Sequence, residues 1–327
     1  MKIAVLCEAL IDFKAAGNPL EQDTFSRLEF RGFPGGSPLN VGTACARLGV
    51  ETGFVGQLST DLFGDALLEH MVQNGLDTRF VLRSSAPSTL GFVDLAHGHP
   101  RYAFLRNGAA DALYNPKKLP DLPPNLRFVQ FGSISMLSDP TRSSIEGIVK
   151  GVRERCTLVF DPNVRPTLIP DKKDYLERFE GWVALSHLVK LSEEDLEWLY
   201  PRIPQEWVAE KFTQSGAHAV IVTRGEAGAH LYLESGSNFA VAAPQVQVLD
   251  TVGAGDTFTA GLMVALLEGG FVQTSDLKGM SLERWEVILE FAGRAAALNC
   301  TRAGCDPPTR AQVEAFKEDS SDLGDSQ

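Results

Sequence analysis

Apolar positions in this chain alternate between two spacings. Short apolar runs at 3–6, 127–132, 157–161, 187–191 and 218–223 read as buried strands, and Thr52 to Leu58 reads as another. Helical spacing lies between them. Val41, Ala44, Cys45 and Leu48 share one face of a segment that Gly49 closes. Ser37 is the expected N-cap there, with Pro38 in the first turn, where its missing N–H would have no partner anyway. Asp61 is the expected cap of a second helix with the face Phe63, Leu67, Leu68, Met71 and Val72, ending at Gly75. Asp139-Pro140 opens a third with Ile145, Ile148, Val149 and Val152 inward, and long helices are predicted over about 254–268 and 282–299.

Alternating strands and helices imply a mostly parallel sheet with helices on both faces. Two segments break the rhythm. In 13–34, Gly17-Asn18-Pro19 marks a turn and Phe25, Leu28 and Phe30 are spaced loosely like strand positions. In 88–107, Leu90, Phe92, Asp94 and Leu95 precede His97-Gly98-His99-Pro100, and Tyr102, Phe104 and Leu105 follow, as in a hairpin. His97 and His99 have no nearby carboxylate or cysteine and read as a solvated tip rather than a metal site. A further hairpin is expected at 229–243. The expected organisation is a main α/β domain from 1–12, 35–87 and 108–317, with 13–34 and 88–107 as a small β-sheet lid. The polar, acidic residues 318–327 are expected to be a disordered tail.

Composition narrows the function. The 327 residues are 44% hydrophobic, enough for a large core, and carry a net charge of -12, which disfavours nucleic acid and anionic membranes as partners. The five cysteines are odd in number and show no CxxC spacing, so neither a disulfide framework nor a zinc site is indicated. Glu8 and Asp12 interrupt the first apolar run before a leader peptide's apolar region can form, and a cytoplasmic setting is expected.

The chemistry concentrates in Asp250-Thr251-Val252-Gly253-Ala254-Gly255-Asp256-Thr257-Phe258. Small residues at 253–255 let a backbone approach a ligand closely, and Phe258, Leu262, Ala265 and Leu266 start a helix. Free N–H groups and the dipole at a helix start form an anion site. A carboxylate in the first turn can simply complement that dipole. Beside a Gly-Ala-Gly cradle, Asp256 also suits phosphoryl transfer to an alcohol: it takes the hydroxyl proton while N–H groups stabilise the phosphoryl charge.

That segment resembles the signature of the ribokinase-like (PfkB-type) carbohydrate kinases, whose final Asp is the catalytic base. Gly35-Gly36-Ser37-Pro38-Leu39-Asn40-Val41-Gly42, continued by Arg47-Leu48-Gly49, resembles the family's second motif, and the likeness runs from about residue 3 to 316. It implies a ribokinase-like fold with a β lid and ATP-dependent phosphorylation of a sugar. Asp256, Gly253, Ala254 and Gly255 would be catalytic, and Asp12, Gly35, Gly36, Asn40, Arg106 and Arg165 would bind sugar. Phe104-Leu105-Arg106-Asn107-Gly108 and Asp161-Pro162-Asn163-Val164-Arg165 resemble the fructokinase branch in particular. Asn163, Lys190, Thr223, Gly225, Gly228 and Asn299 would serve the nucleotide.

Lys190-Leu191-Ser192-Glu193-Glu194-Asp195 resembles a segment that organises Mg²⁺, though Ser192 with Asp195 equally fits a capping box. Asp250 and the Val252 carbonyl match positions that hold a monovalent cation such as K⁺ in some members. The partners implied are a sugar, ATP with Mg²⁺, and a second copy of the chain through the lid. Neither GxxxxGK[ST] nor GxGxxG after an early strand is present, so P-loop and dinucleotide enzymes are disfavoured. Fructose is the expected acceptor. The alternatives are 2-keto-3-deoxygluconate, another sugar or nucleoside, or a silent sugar-binding protein on the same fold.

Overall fold

The computed structural model of the chain describes residues 1–15, 29–94 and 101–322. In chain order its first half contains β1 (Ile3–Leu6), β2 (Leu10–Ala15), β3 (Phe30–Gly35), α1 (Ser37–Arg47), β4 (Thr52–Ser59), α2 (Leu62–Gln73), β5 (Asp77–Ser84), β6 (Leu90–Asp94), β7 (Arg101–Leu105), β8 (Phe128–Gly132) and α3 (Thr141–Val152). Then follow β9 (Thr157–Asp161), α4 (Lys172–Leu185), β10 (Leu188–Ser192), α5 (Glu193–Leu199), α6 (Gln205–Gln214), β11 (Ala219–Thr223), β12 (Ala229–Leu233), β13 (Asn238–Val241), α7 (Ala254–Glu268), α8 (Thr274–Lys278), α9 (Leu282–Cys300) and α10 (Arg310–Asp322).

Nine strands form one sheet in the order β13-β12-β11-β10-β9-β8-β1-β4-β5, parallel except where β12 joins β11 and β13. Alternation along each strand feeds two cores. Ile3 and Val5 face one cluster with Leu39, Leu262 and Trp285, whereas Ala4 and Leu6 face the other with Ile145, Phe179 and Phe212. Helices therefore cover both faces, as a buried parallel sheet requires.

The second sheet has the order β3-β2-β6-β7. β2 and β6 run parallel, and β3 and β7 flank them antiparallel. Phe13 stacks on Phe92 with centroids 5.1 Å apart and meets Phe63 of α2 edge-on at 5.8 Å, anchoring the small sheet to the main body.

Several local expectations need correction. Gly36, at φ 101°, occupies the N-cap position of α1, so Ser37 is already helical and makes no cap hydrogen bond. Val72 is 61% exposed because the inward stripe of α2 runs through Leu67 and Met71. At α3 it is Pro140, with no side-chain acceptor, that stands at the cap, while Asp139 accepts from Ser143 N at 3.2 Å. β5 has no counterpart in the predicted elements, since it is an edge strand whose exposed positions dilute its apolar signal. α10 runs on to Asp322, over the first residues of the segment expected as a tail, and its first turns are held by buried Val313 and by Arg310 bridging Glu268 and Glu314. β2 starts at Leu10, inside the segment assigned to the main domain. Gly17-Asn18-Pro19, Phe25, Leu28, His97 and His99 lie outside the described residues.

Candidate active site

The site lies where the parallel strands end. Asp161 closes β9, Ser192 closes β10 beside Thr223 of β11, and Glu8 follows β1. Open α/β sheets place ligands at this edge. Among the described residues, five non-glycines have positive φ, and four of them (Cys7, Glu8, Ser133 and Asn163) follow β1, β8 and β9 here. Such costly conformations concentrate at functional sites. A cavity of about 530 Å³ opens at this edge.

Asp256 sits in the first turn of α7, behind Gly253 in the left-handed conformation at φ 78°. A Cβ on Gly253 would lie 2.3 Å from Cys305 Sγ, so glycine is needed there for space as well as for φ. Asp256 is 8% exposed; its Oδ1 accepts from Ser37 Oγ at 2.6 Å and its Oδ2 from Asn40 Nδ2 at 2.8 Å. Burial raises its pKa, with Asp161 adding to the rise and Ser37, Asn40 and Lys190 opposing it. A base poised closer to neutrality results.

Behind Asp256 lies a buried charge pair. Lys190 Nζ donates to Asp161 Oδ2 at 3.0 Å, and Thr259 Oγ1 donates to the same oxygen at 3.0 Å. Burial works against the ammonium, but Asp161, with help from Asp256 and Asp195, keeps it above its ordinary pKa and so charged. A Cβ on Gly255 would stand 2.9 Å from Lys190 Nζ, which puts this ammonium against the helix start where an anion would bind.

The opposite wall comes from the small sheet. Asp12 lines the cavity from β2, and side chains at Gly35 or Gly91 would come within 2.2 Å and 2.6 Å of its oxygens. Burial lifts its pKa from 3.8 to about 6, with Arg165 and Lys14 pulling down and Asp256 pushing up. Arg165 lines the cavity and donates to Asn163 Oδ1 at 2.7 Å. Glu8 lines it too, held by Ser133 and Ser135, and burial raises its pKa to about 7.

The structure does not bring every expected residue to the cavity. Asp12, Gly36, Asn40, Asn163 and Arg165 line it, as do Lys190, Asp195, Thr223, Gly225, Gly228 and the stretch from Val252 to Asp256. Gly35 instead makes room for Asp12. Arg106 is bound to Asp111 Oδ2 at 3.1 Å and Ser138 Oγ at 3.2 Å, away from the cavity wall. Asn299 is fully buried and donates to the Val252 carbonyl at 2.8 Å; Leu289, Ala296 and Ala297 line that end of the cavity.

Asp195 completes a capping box with Ser192 and accepts from Val164 N at 2.8 Å, so backbone N–H groups occupy both its oxygens. Among the described residues no group of three or more His, Cys, Asp or Glu can hold a metal. A K⁺ site at Asp250 and Val252 does not fit either: Asp250 is ion-paired with Lys14, and the Val252 carbonyl already accepts one hydrogen bond, from Asn299. Ser37 and Asp161, which bond Asp256 and Lys190, are not among the residues expected at the site. A serine before Pro-Leu reads as a cap, and the partner of Asp161 is 29 residues away.

A carboxylate that can accept a proton, aimed at a helix start backed by a fixed ammonium, can transfer a phosphoryl group from an anionic donor to an alcohol. The molecule is in this sense a small-molecule kinase. Comparison with known proteins agrees: the profile of the pfkB family carbohydrate kinases matches residues 1–312, and the chain belongs to that family. It is 34% identical over 264 residues to a fructokinase of Rhizobium leguminosarum bv. trifolii, covering 80% of this chain and 79% of that one. It superposes on the ATP-bound fructokinase of Xylella fastidiosa with a TM-score of 0.88 at 28% identity, covering 98% and 99% of the two chains. A Salmonella enterica aminoimidazole riboside kinase, solved with its riboside and an ATP analogue, gives 0.80 at 25% identity, covering 97% and 99%. No helix among the described residues is long and apolar enough to cross a membrane.

Proposed function

We propose that the protein phosphorylates fructose with ATP, using Asp256 as the base. The observation that carries this reading is the Asp256 carboxylate at the start of α7, oriented by Ser37 and Asn40, in one cavity with Asp12. Asp12 accepts sugar hydroxyls, and Asp256 takes the proton of the hydroxyl that attacks the γ-phosphorus. The N–H groups of Gly253 and Gly255 and the Lys190 ammonium stabilise the charge on the transferred group. The apolar end of the cavity at Leu289, Ala296 and Ala297 takes the adenine.

Mg²⁺ fits as an ion carried on the nucleotide's phosphates and its own waters, with the cavity-lining carboxylate of Glu194 available to those waters. Bound there, it neutralises phosphate charge. The small sheet would close over the sugar and exclude water. The exposed apolar side chains Phe30 and Leu105 on that sheet support a dimer formed through it, which sedimentation would test.

Incubation with ATP, Mg²⁺ and fructose, followed by phosphorus NMR of the product, tests the reading. One fructose phosphate per ADP is expected. ATP hydrolysis without sugar phosphate would contradict it.

A further inference from the structure

One ion pair ties the loop before α7 to the small sheet. From β2, Lys14 places its ammonium against Asp250 Oδ2. The same oxygen accepts from Gly304 N at 2.8 Å, and Oδ1 accepts from Val252 N at 3.0 Å. The Lys14 and Asp250 side chains are 19% and 22% exposed, so water is largely kept from the pair. Lys14 Nζ also lies 5.8 Å from the centre of the Phe33 ring of β3. Partial burial works to raise the Asp250 pKa, but the Lys14 hydrogen bond and the two backbone N–H groups hold it below its usual value.

An alkali ion at Asp250 would therefore meet an ammonium already in place, and like charges at such separations repel strongly. The other oxygen it would use, the Val252 carbonyl, already accepts from Asn299. Lys14 and Asp12 are two apart on β2, so they emerge on the same face of the strand. One strand thus carries both a carboxylate at the cavity and the cation that holds the loop leading to Asp256.

We propose that the Lys14 ammonium is the resident cation of this loop, standing where an alkali ion would otherwise be needed, so that turnover requires no K⁺. Lys14 acts as a positioning residue: it fixes Asp250, Asp250 fixes the Val252 N–H, and the cradle at 253–255 follows. This rests on the kinase reading, but the test includes an arm that needs no turnover.

Initial rates and thermal melts are compared in KCl and in choline chloride at matched ionic strength, for wild type, Lys14→Met and Lys14→Arg. Wild-type kcat/KM and Tm are expected to differ by less than about twofold and a degree or so between the salts. Lys14→Met should lose about tenfold or more in choline and recover with K⁺ in a saturable way, its Tm rising with K⁺ alone. Lys14→Arg, which keeps the charge, should stay indifferent to K⁺. If no variant turns over fructose, the Tm arm still decides. Wild type activated severalfold or stabilised by K⁺ would overturn the proposal. So would Lys14→Met behaving alike in both salts, whether active or impaired.

Discussion

The two walls of the cavity are built differently. On the wall at the strand ends, Asp161, Lys190 and Asp256 are 1%, 4% and 8% exposed, and each is held by a side chain from a distant part of the chain. On the wall of the small sheet, Asp12 and Lys14 are partly exposed and sit on a strand with two hydrogen-bonded neighbours, anchored to α2 through Phe13. Charges fixed in a buried setting act strongly on charge that develops during reaction. Partly exposed groups on a smaller, separately anchored sheet can follow the shape of a sugar as it binds. In the proposed reading the difference divides the labour: the first wall performs the transfer, and the second recognises the acceptor.

The largest expected effect is at Asp256. Asp256→Asn keeps the volume and removes proton acceptance, so kcat should fall by about 10²–10⁴ while the fold, read by circular dichroism, is unchanged. A variant keeping more than about a tenth of wild-type kcat would remove Asp256 from the role of base.

Next is the buried pair. Lys190→Met leaves the Asp161 charge without its cation and should cost about 3–5 kcal/mol in denaturant unfolding, together with a loss of kcat. Replacing both residues by apolar ones should recover much of the stability and none of the activity, which separates the two consequences.

Ser37→Ala tests whether the serine that opens α1 serves the base rather than the helix. It removes a hydrogen bond to a buried carboxylate, which is worth about 1.5–3 kcal/mol, and should lower kcat by roughly tenfold or more. A change in stability with unchanged kcat would return Ser37 to a local structural role.

The smallest effects belong to the sugar wall and depend on pH. With its pKa lifted to about 6, Asp12 binds a proton below that value. kcat/KM for the sugar should then fall as pH drops through about 6, with little change in KM for ATP. Stability runs the opposite way. The folded state holds the Asp12 proton more tightly than the unfolded chain does, so the burial penalty is absent below pH 3.8 and grows as pH rises to about 6. Asp12→Asn should therefore be stabilising relative to wild type at pH 7.5 and less so at pH 5, in thermal melts, while the rise in sugar KM is larger at pH 7.5 than at pH 5, where wild-type Asp12 already carries a proton.

The same contrast explains what could be read from the sequence. The start of α7 was legible because Gly-Ala-Gly, the carboxylate and the apolar spacing are contiguous, and α7 begins at Ala254. The alternation of strands and helices likewise announced a parallel sheet, because buried strands and amphipathic helices leave local patterns. Side chains whose partners lie far along the chain were not legible. Ser37 finds Asp256 across 219 residues, and Lys14 finds Asp250 across 236. Arg106 and Asn299 fail in the opposite sense. Each lies in a segment that approaches the cavity, yet each donates to a structural neighbour, Asp111 and the Val252 carbonyl, which local sequence does not reveal.

That the second wall selects fructose is tested most directly by kcat/KM for fructose, 2-keto-3-deoxygluconate, ribose and adenosine with ATP under one set of conditions. The account predicts that fructose exceeds each of the others by at least tenfold, about 1.4 kcal/mol of transition-state preference. Any of the three exceeding fructose by that factor would contradict it.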